Sequence, residues 1–358
     1  MHKNNNRIVY LFFKNNVISG KWFLIVCINL TKKRFTYHFL AYPALFCAIF
    51  LGNAYHVIGQ DPVFSQFYAA PIYLNPAFAG STNCSRAVFN YRMVRSIENL
   101  HTANFSFDRF VDRLHGGIGI IATTDQTNMH FMRNSIQAMY AYHLTVTPDF
   151  SINFGMQAGY IRNDTQWDKF VFPDPNEPLP DNSWQHSVDF AAGILFHSNR
   201  IYGGFAAHHL HEPDMSIMDK GNAYLPMKLT GHLGMYFEPG SGDPRRRDQP
   251  DYYFSPNIVF QQQGEYNHLS AGMYLGIKPV MLGLWYRHWL NQSNLTPNNF
   301  LVALVGINMD DYRIGFSYDV SMSGLSGDIY SALELSLAFR FNCPQRNIGT
   351  RIINHPSF

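Results

Sequence analysis

The chain has 358 residues, a formal net charge of +2, 15% charged residues and 16% aromatic residues. Soluble domains carry roughly 25% charged residues, and a net charge near zero gives no reason to expect a nucleic-acid partner. The mean hydropathy of −0.16 excludes a bundle of membrane-spanning helices. Few charges, many aromatics and near-neutral hydropathy are instead typical of a transmembrane β-barrel, whose strands are only half apolar.

Residues 1–59 are predicted to be a signal peptide that is removed on export. A basic cluster at 32–34 precedes an uncharged apolar run at 39–52, which is the order found in signal peptides. The small residue Gly59 favours cleavage before Gln60. An N-terminal membrane anchor is the alternative, but the run is shorter than the roughly 20 residues that a spanning helix needs. We also expect that the natural protein starts downstream of residue 1, so that the N-terminal part of this sequence is over-extended.

The next stretch, residues 60–83, fits no single regular element. It begins QDPVFSQFYAAPIYLNPAFAG, without Lys or Arg. Pro62, Pro71 and Pro76 each fix φ and remove a backbone donor, which excludes one continuous helix or a central strand. Because the stretch is too aromatic for a solvated tail, we expect it to pack against another part of the chain.

From Cys84 onward, apolar and polar residues alternate with the period of two that indicates β-strands. The fold class that we predict is all-β, a transmembrane outer-membrane β-barrel of about 14 antiparallel strands over residues 84–342. The predicted strands are 84–95, 99–109, 115–124, 132–145, 150–162, 184–198, 200–210, 225–237, 252–263, 266–277, 279–289, 298–309, 311–320 and 328–342.

Connection lengths alternate around this predicted barrel. The connections after strands 4, 6, 10 and 12 are tight, whereas those after strands 5, 7, 11 and 13 are long. Short turns on one side and long loops on the other are typical of bacterial outer-membrane barrels, with the short turns in the periplasm. The long Glu238–Asp251 connection and the short Gln262–Tyr266 connection break the alternation, so about twelve or sixteen strands stay as alternatives.

Two cysteines flank the predicted barrel. A closed barrel pairs its first strand with its last, because an open edge would leave backbone groups unpaired in lipid. We therefore expect Cys84 and Cys343 to be neighbours on the periplasmic side. The periplasm is oxidising, so a disulfide between them is one alternative, and two unpaired thiols beside the seam are the other.

No catalytic, metal or cofactor site is predicted. The densest histidine group is His208, His209, His211 and Glu212. On a strand, His209 and His211 would share one face while His208 points away. The motifs H-E-x-x-H, C-x-x-C and G-x-S-x-G are all absent, so we expect no enzyme.

The interior of the predicted barrel is expected to be narrow or plugged. We predict that its inward positions are mostly Gly, Ser, Asn and Gln with few charges, which suits a plugged lumen better than a water-filled pore. A diffusive porin or small-solute channel is the alternative function. Aromatic girdles at the membrane interfaces are assigned to Trp167, Trp184, Trp285 and Trp289.

The stretch 60–80 resembles the N-terminal signature of the PorP/SprF family, barrel proteins of the type IX secretion and gliding systems of Bacteroidota. The residues that match the family pattern are Gln60, Asp61, Pro62, Phe64, Ser65, Gln66, Phe67, Tyr68, Pro71, Tyr73, Asn75, Pro76, Ala77, Phe78, Ala79 and Gly80. Shorter likenesses lie at Phe89–Arg92, Phe172–Asp174, His209–Pro213, Leu284–Arg287, Ser317–Asp319 and Glu334–Leu337. The tail is similar to that of some members, but His355 stands where a Cys is expected, which favours Cys84 as the partner of Cys343.

The resemblance implies a barrel without catalysis or cofactor that supports secretion or surface attachment of a type IX substrate, often a large adhesin. The expected partners are outer-membrane lipid, such a secreted surface protein, and periplasmic components of the type IX machinery. Residues 343–358 are expected to form a periplasmic tail. The 60–83 stretch is expected to act at the periplasmic mouth as a plug or docking surface, through Asp61, Pro62, Phe64, Ser65, Gln66, Phe67, Tyr68, Pro71, Tyr73, Asn75, Pro76, Phe78 and Gly80.

Overall fold

The computed structural model describes residues 60–82, 84–95, 99–128, 130–167, 183–216, 223–237, 252–290, 299–309, 311–322 and 330–343. The predicted signal peptide, the Phe172–Asp174 motif, the Glu238–Asp251 connection and the tail beyond Cys343 lie outside these residues.

Fourteen strands make up the fold of the described residues. They are β1 Ser85–Arg95, β2 Leu100–Val111, β3 Gly116–Thr127, β4 Phe131–Thr147, β5 Phe150–Thr165, β6 Ser183–Ser198, β7 Ile201–His208, β8 Lys228–Met235, β9 Tyr252–Gln263, β10 Tyr266–Ile277, β11 Val280–Trp289, β12 Asn299–Asn308, β13 Tyr312–Ser321 and β14 Ser331–Phe341. The predicted strand number is confirmed, and each boundary lies within three residues of its predicted place.

The sheet closes on itself. Every strand pairs antiparallel with its neighbours in the chain, and β1 pairs with β14. At this seam Ser85 lies opposite Phe341 and Arg92 lies opposite Glu334. Closure leaves no strand edge unpaired, which is the condition for a sheet in lipid. The all-β barrel that the alternation predicted is therefore confirmed.

Along each strand, successive side chains point alternately to the lumen and to the outer wall. In β14, Glu334 and Ser336 are buried against the lumen, whereas Leu335 and Phe339 are exposed on the outer wall. The outer wall as a whole carries exposed Leu, Ile, Phe, Val and Tyr side chains, as expected for a surface in contact with lipid. Within the described residues, no helix has the length and apolar character to span a membrane.

The two ends of the barrel differ. We call one end the turn end, because β1 begins there, β14 ends there, and short turns join β4 to β5, β6 to β7 and β10 to β11 there. The opposite end is the loop end. The turn end corresponds to the predicted periplasmic side. There the structure joins Cys84 to Cys343 in a disulfide, with Cα atoms 4.1 Å apart, the first of the two alternatives.

Two expectations about the lumen are wrong. Trp285 and Trp289 lie on the inward face of β11 rather than in a girdle, and Trp285 is 2% exposed, whereas Trp184 stays exposed outside. The lumen also holds far more charged side chains than expected. Their burial is tolerated because most of them contact a residue of opposite charge or a hydrogen-bonding group. The buried luminal charges are Arg86, Arg92, Asp108, Asp189, Lys228, Arg287, Arg313, Asp319 and Glu334.

Candidate functional site

The luminal segment, residues 60–82, runs inside the barrel from the loop end to the turn end. Near its start, Asp61 accepts a hydrogen bond from Lys228 Nζ at 2.5 Å, at the loop-end start of β8. Near its finish, the Gly80 N–H donates to Asp108 Oδ2 at 2.9 Å, close to the turn end of β2. The sequence placed this stretch at the periplasmic mouth, but the structure extends it along most of the lumen, because its polar anchors lie at both ends.

Two short helical pieces break the luminal segment. Helix α1 covers Pro71–Leu74, and a single 3-10 turn covers Pro76–Phe78. Each piece begins with a proline, which is favoured there because the first helical N–H has no partner within the helix. Asn75 caps the second piece, since its Oδ1 accepts from the Ala77 N–H at 2.9 Å. The prolines that exclude one long helix thus start two short ones.

The half of the segment toward the turn end, Asn75–Gly80, lies directly on strand backbone. A Cβ atom added to Gly155 of β5 would lie 2.3 Å from the Ala77 nitrogen, and one added to Gly117 of β3 would lie 2.0 Å from the Ala79 oxygen. Both distances are far below van der Waals contact. Only glycine at these strand positions admits the segment this close.

Aromatic rings fill the middle of the lumen. Phe67 meets Trp285 edge-on with ring centroids 4.5 Å apart, and Tyr68 meets Tyr274 edge-on at 4.6 Å. Such pairs bury a large apolar area and favour edge-to-face geometry. The luminal segment and the inward faces of the strands therefore share one apolar core.

Ser65 is the centre of a buried ionic network. Its hydroxyl donates to Asp319 Oδ2 at 2.6 Å and accepts from Arg92 Nη1 at 2.8 Å and Arg287 Nη2 at 2.9 Å. Arg92 also pairs with Asp319 at 2.8 Å and with Glu334 at 3.0 Å. Two arginines and two carboxylates from β1, β11, β13 and β14 thus sum to zero charge around one hydroxyl. This balance makes a buried cluster of charges tolerable.

Glu334 also holds the backbone of the segment. Its two carboxylate oxygens accept from the Ser65 N–H at 2.7 Å and the Gln66 N–H at 3.0 Å. The Gln66 amide donates to Ser317 Oγ at 3.1 Å and accepts from Ser336 Oγ at 2.5 Å. Charge-assisted bonds to backbone N–H groups are stronger than neutral ones, so this carboxylate fixes the segment at one register.

A second ionic cluster surrounds Asp61 near the loop end. Asp61 Oδ2 accepts from His209 Nε2 at 2.9 Å, and Asp61 Oδ1 lies 3.5 Å from Arg133 Nη1. His209 Nδ1 lies 3.0 Å from Asp189 Oδ1. The imidazole therefore stands between two carboxylates, Asp61 and Asp189. Only the protonated ring donates from both nitrogens.

The charges of this cluster shift two pKa values outside the strands. Burial alone would lower the pKa of His209, but the Asp61 charge and hydrogen bonds to Asp189 and Asp61 raise it to about 9. Burial alone would raise the pKa of Asp61, but the charges of His209 and Lys228 hold it well below its usual value. Both groups are charged at neutral pH and bind each other.

His209 was assigned no role, because a regular strand would bring only two of the clustered histidines to one face. The alternation places His209 and His211 on one face and His208 on the other. In the structure His208 and His209 are both buried in the lumen and His211 is exposed. His209 has a φ of 57°, so the left-handed backbone ends the alternation and turns the ring inward. Within the described residues, no His, Cys, Asp and Glu side chains converge as metal ligands.

The signature residues that the sequence singled out are thus assembled along one lumen. Ten of the thirteen are buried, and Asp61, Pro62 and Tyr73 are half-buried. Sequence reasoning missed their strand partners. A signal was present, because several of the short family-like motifs begin or end with a charged luminal residue. Together these motifs contain all four charged residues around Ser65: Arg92, Arg287, Asp319 and Glu334.

A closed, lipid-facing barrel with an internal segment defines the class, a multi-pass outer-membrane β-barrel protein. Residues 57–339 match the family described as type IX secretion system membrane protein PorP/SprF. The chain therefore belongs to this family, and the resemblance seen in the sequence is confirmed. Among curated proteins, no match was found.

Several solved outer-membrane barrels are similar in structure. The CymD monoaromatic hydrocarbon channel has a TM-score of 0.49 and 9% identity, over 79% of this chain and 94% of CymD. The Pseudomonas putida toluene transporter TodX has a TM-score of 0.44 and 9% identity, over 79% of this chain and 98% of TodX. The Acinetobacter baumannii outer membrane protein Omp33 has a TM-score of 0.40 and 8% identity, over 73% of this chain and 100% of Omp33.

Proposed function

We propose that this protein is a non-enzymatic barrel that supports the export or surface attachment of one partner secreted by the type IX system, and that the luminal segment is its plug. The observation that carries the proposal is the filling of the lumen from Asp61 at the loop end to Gly80 at the turn end. The proposed partner class is a large adhesin-like surface protein, which is what the resemblance to the family implies.

The lumen leaves little space for diffusing solutes. The cavities beside the luminal segment have volumes of about 40, 30 and 20 Å³. Such cavities hold about one or a few water molecules each. A diffusive porin would require a continuous aqueous path, so passage through this barrel requires displacement of the segment.

The two ends offer contacts to different partners. The loop end faces the medium in the predicted orientation, and the secreted protein is proposed to bind there. The turn end faces the periplasm, where the segment leaves the lumen and joins β1 beside Cys84. Periplasmic components of the secretion machinery are proposed to contact this end, from which they can reach the plug.

The test is deletion of the gene, followed by proteomics of the cell surface and the culture fluid. We expect one large protein to leave the cell surface, with uptake of small solutes unchanged. Complementation with the whole gene should return that protein to the cell surface. A gene that lacks codons 60–79 should return the barrel to the outer membrane but not the large protein to the cell surface. Unchanged surface and culture-fluid proteomes would contradict the proposal.

Planar bilayers separate the plugged barrel from a porin. We expect the purified protein to be closed, since the three cavities beside the luminal segment are small. A steady open conductance in the wild-type protein would favour the porin alternative.

A further inference from the structure

The outer wall carries a shallow, open depression on the lipid-facing side of β1–β5. Small outward residues form its floor, Ala103 of β2 and Ala122 and Thr124 of β3. Its volume is about 350 Å³, within the range of small-molecule sites, roughly 300–1,000 Å³. The depression is therefore a groove in a surface that elsewhere presents large apolar side chains.

Large side chains border this groove on both sides. Phe89 and Phe105 stand on one side and Ile136 and Tyr160 on the other, and all four are exposed. The register places Phe105, Ala122, Ile136 and Tyr160 in one row across β2, β3, β4 and β5. The small side chain of Ala122 in that row leaves a channel between the larger side chains on either side. An unbranched hydrocarbon chain fits such a channel.

One end of the groove is basic. Arg162, toward the loop end of β5, lines it and is about half exposed, with a side-chain exposure of 47%. Asp164 accepts from Arg162 Nε at 2.8 Å and lies 2.6 Å from Nη2, which orients the guanidinium. The guanidinium has five N–H donors, so donors remain for a second anion.

Arg162 also marks the level of the lipid head groups. Its guanidinium carbon lies 5.2 Å from the centre of the exposed Trp184 ring. Tryptophan is enriched at membrane–water interfaces, and Arg binds phosphate with paired donors. The groove therefore runs from the middle of the bilayer to a phosphate-binding group at the loop-end interface.

We infer that this groove binds one acyl chain of lipid A, the phosphorylated lipid of the outer leaflet, with a lipid phosphate on Arg162. In the predicted orientation the loop end lies in that leaflet. Hydrocarbon fills the groove because water would find few partners on a floor of alanines. The Thr124 hydroxyl donates to Asn134 Oδ1 at 2.9 Å, so the polar groups of the floor are paired with each other.

Lipid retention tests this inference. The mature protein is placed in nanodiscs of phosphatidylethanolamine with lipid A, extracted in mild detergent and weighed by native mass spectrometry. We expect one retained lipid A. The double variant Ala122→Leu with Thr124→Leu fills the groove and should lower retention at least about tenfold, while Arg162→Gln, which loses a charged hydrogen bond, should lower it about tenfold.

The control is Ala271→Leu, which repeats the Ala122→Leu change at an outward position of β10 on another part of the wall. It should retain lipid A as the wild type does, and all variants should keep the gel mobility of the folded barrel. Three results would each overturn the inference. The filled variant could retain as much lipid A as the wild type, or the wild type could retain as much phosphatidylethanolamine as lipid A. A photoreactive group at Ala103 could also cross-link to a protein in cells.

Discussion

The two halves of the luminal segment are held by different forces. Toward the turn end, Asn75–Gly80 lies against the backbone of strand glycines, with the Asn153 amide donating to the Ala77 carbonyl at 3.3 Å. Toward the loop end, Asp61–Gln66 is held by ion pairs and charge-assisted hydrogen bonds. Close packing on glycines therefore dominates toward the turn end, beside the Gly80–Asp108 hydrogen bond, whereas charged contacts dominate toward the loop end.

This difference predicts how a plug of this kind leaves its barrel. Close packing is lost only when whole atoms move apart, and it is insensitive to pH and salt. Ion pairs can be replaced by water or by a competing charge, because their net worth is a small difference between attraction and desolvation. We therefore expect the loop-end half to detach first and the turn-end half to remain as the hinge.

The largest effect is expected from filling the glycine contact. A Cβ at Gly155 meets the Ala77 nitrogen at 2.3 Å and the Pro76 carbonyl carbon at 2.5 Å, so Gly155→Val cannot coexist with the seated segment. We expect loss of seating, at a cost of roughly 3 kcal/mol or more, and the appearance of open conductance in planar bilayers.

A control for the added bulk is Gly231→Val, at an outward position of β8. A Cβ there meets only the Phe205 ring, at 3.5 Å, which is ordinary contact. This variant should stay closed. If Gly155→Val is also closed, the glycine contact does not seat the segment.

The next effect is expected from the ionic network around Ser65. Arg92→Met leaves Asp319 and Glu334 with Arg287 alone. Removing one partner of a buried ion pair costs about 3–5 kcal/mol. The free energy of unfolding, measured from the urea dependence of the folded band on gels, should fall by that amount.

Restoring neutrality tests whether charge is the cause. Arg92→Met combined with Glu334→Gln leaves one arginine and one carboxylate, and the glutamine oxygen still accepts a backbone N–H. The double variant should recover part of the loss. A double variant less stable than Arg92→Met would argue against an electrostatic origin.

A smaller effect is expected from the seam at the turn end. Replacing Cys84 and Cys343 together by Ser opens a loop with a sequence separation of 259. Disulfides contribute about 2–4 kcal/mol in typical cases, and the urea midpoint should fall accordingly without opening the lumen. Two free thiols in the mass of the unreduced wild-type protein would show that the bridge is absent in the cell.

Local pattern predicted the wall but not what lies inside it. Strands β9 and β10 match their predicted bounds because the alternation of apolar and polar residues depends only on residues that are adjacent in the sequence. The depth of the luminal segment depends on contacts such as Ser65 with Glu334, 269 residues apart, which no local period encodes. Trp285 was misplaced because an aromatic ring suits an interface and a luminal core equally. His209 was missed because one left-handed residue ended the alternation.

The smallest effect is expected from pH, and it acts on the loop-end half alone. His209 has a folded pKa of about 9 against about 6.5 when unfolded. Its contribution is therefore complete below about pH 6.5 and is lost as pH rises through about 9. Asp61 has a lowered pKa, so its contribution is present above its usual pKa and is lost on acidification.

A spin label at Val63→Cys reports this loosening in a chain that starts at Gln60, in which the two remaining cysteines, Cys84 and Cys343, are paired. Its mobility should rise between pH 6.5 and 9.5, as His209 loses its proton. His209→Arg keeps the charge and should flatten the profile, whereas His209→Gln should be mobile at both values. A label equally immobile at pH 9.5 in all three proteins would mean that packing, and not the Asp61–His209 pair, holds both halves of the segment.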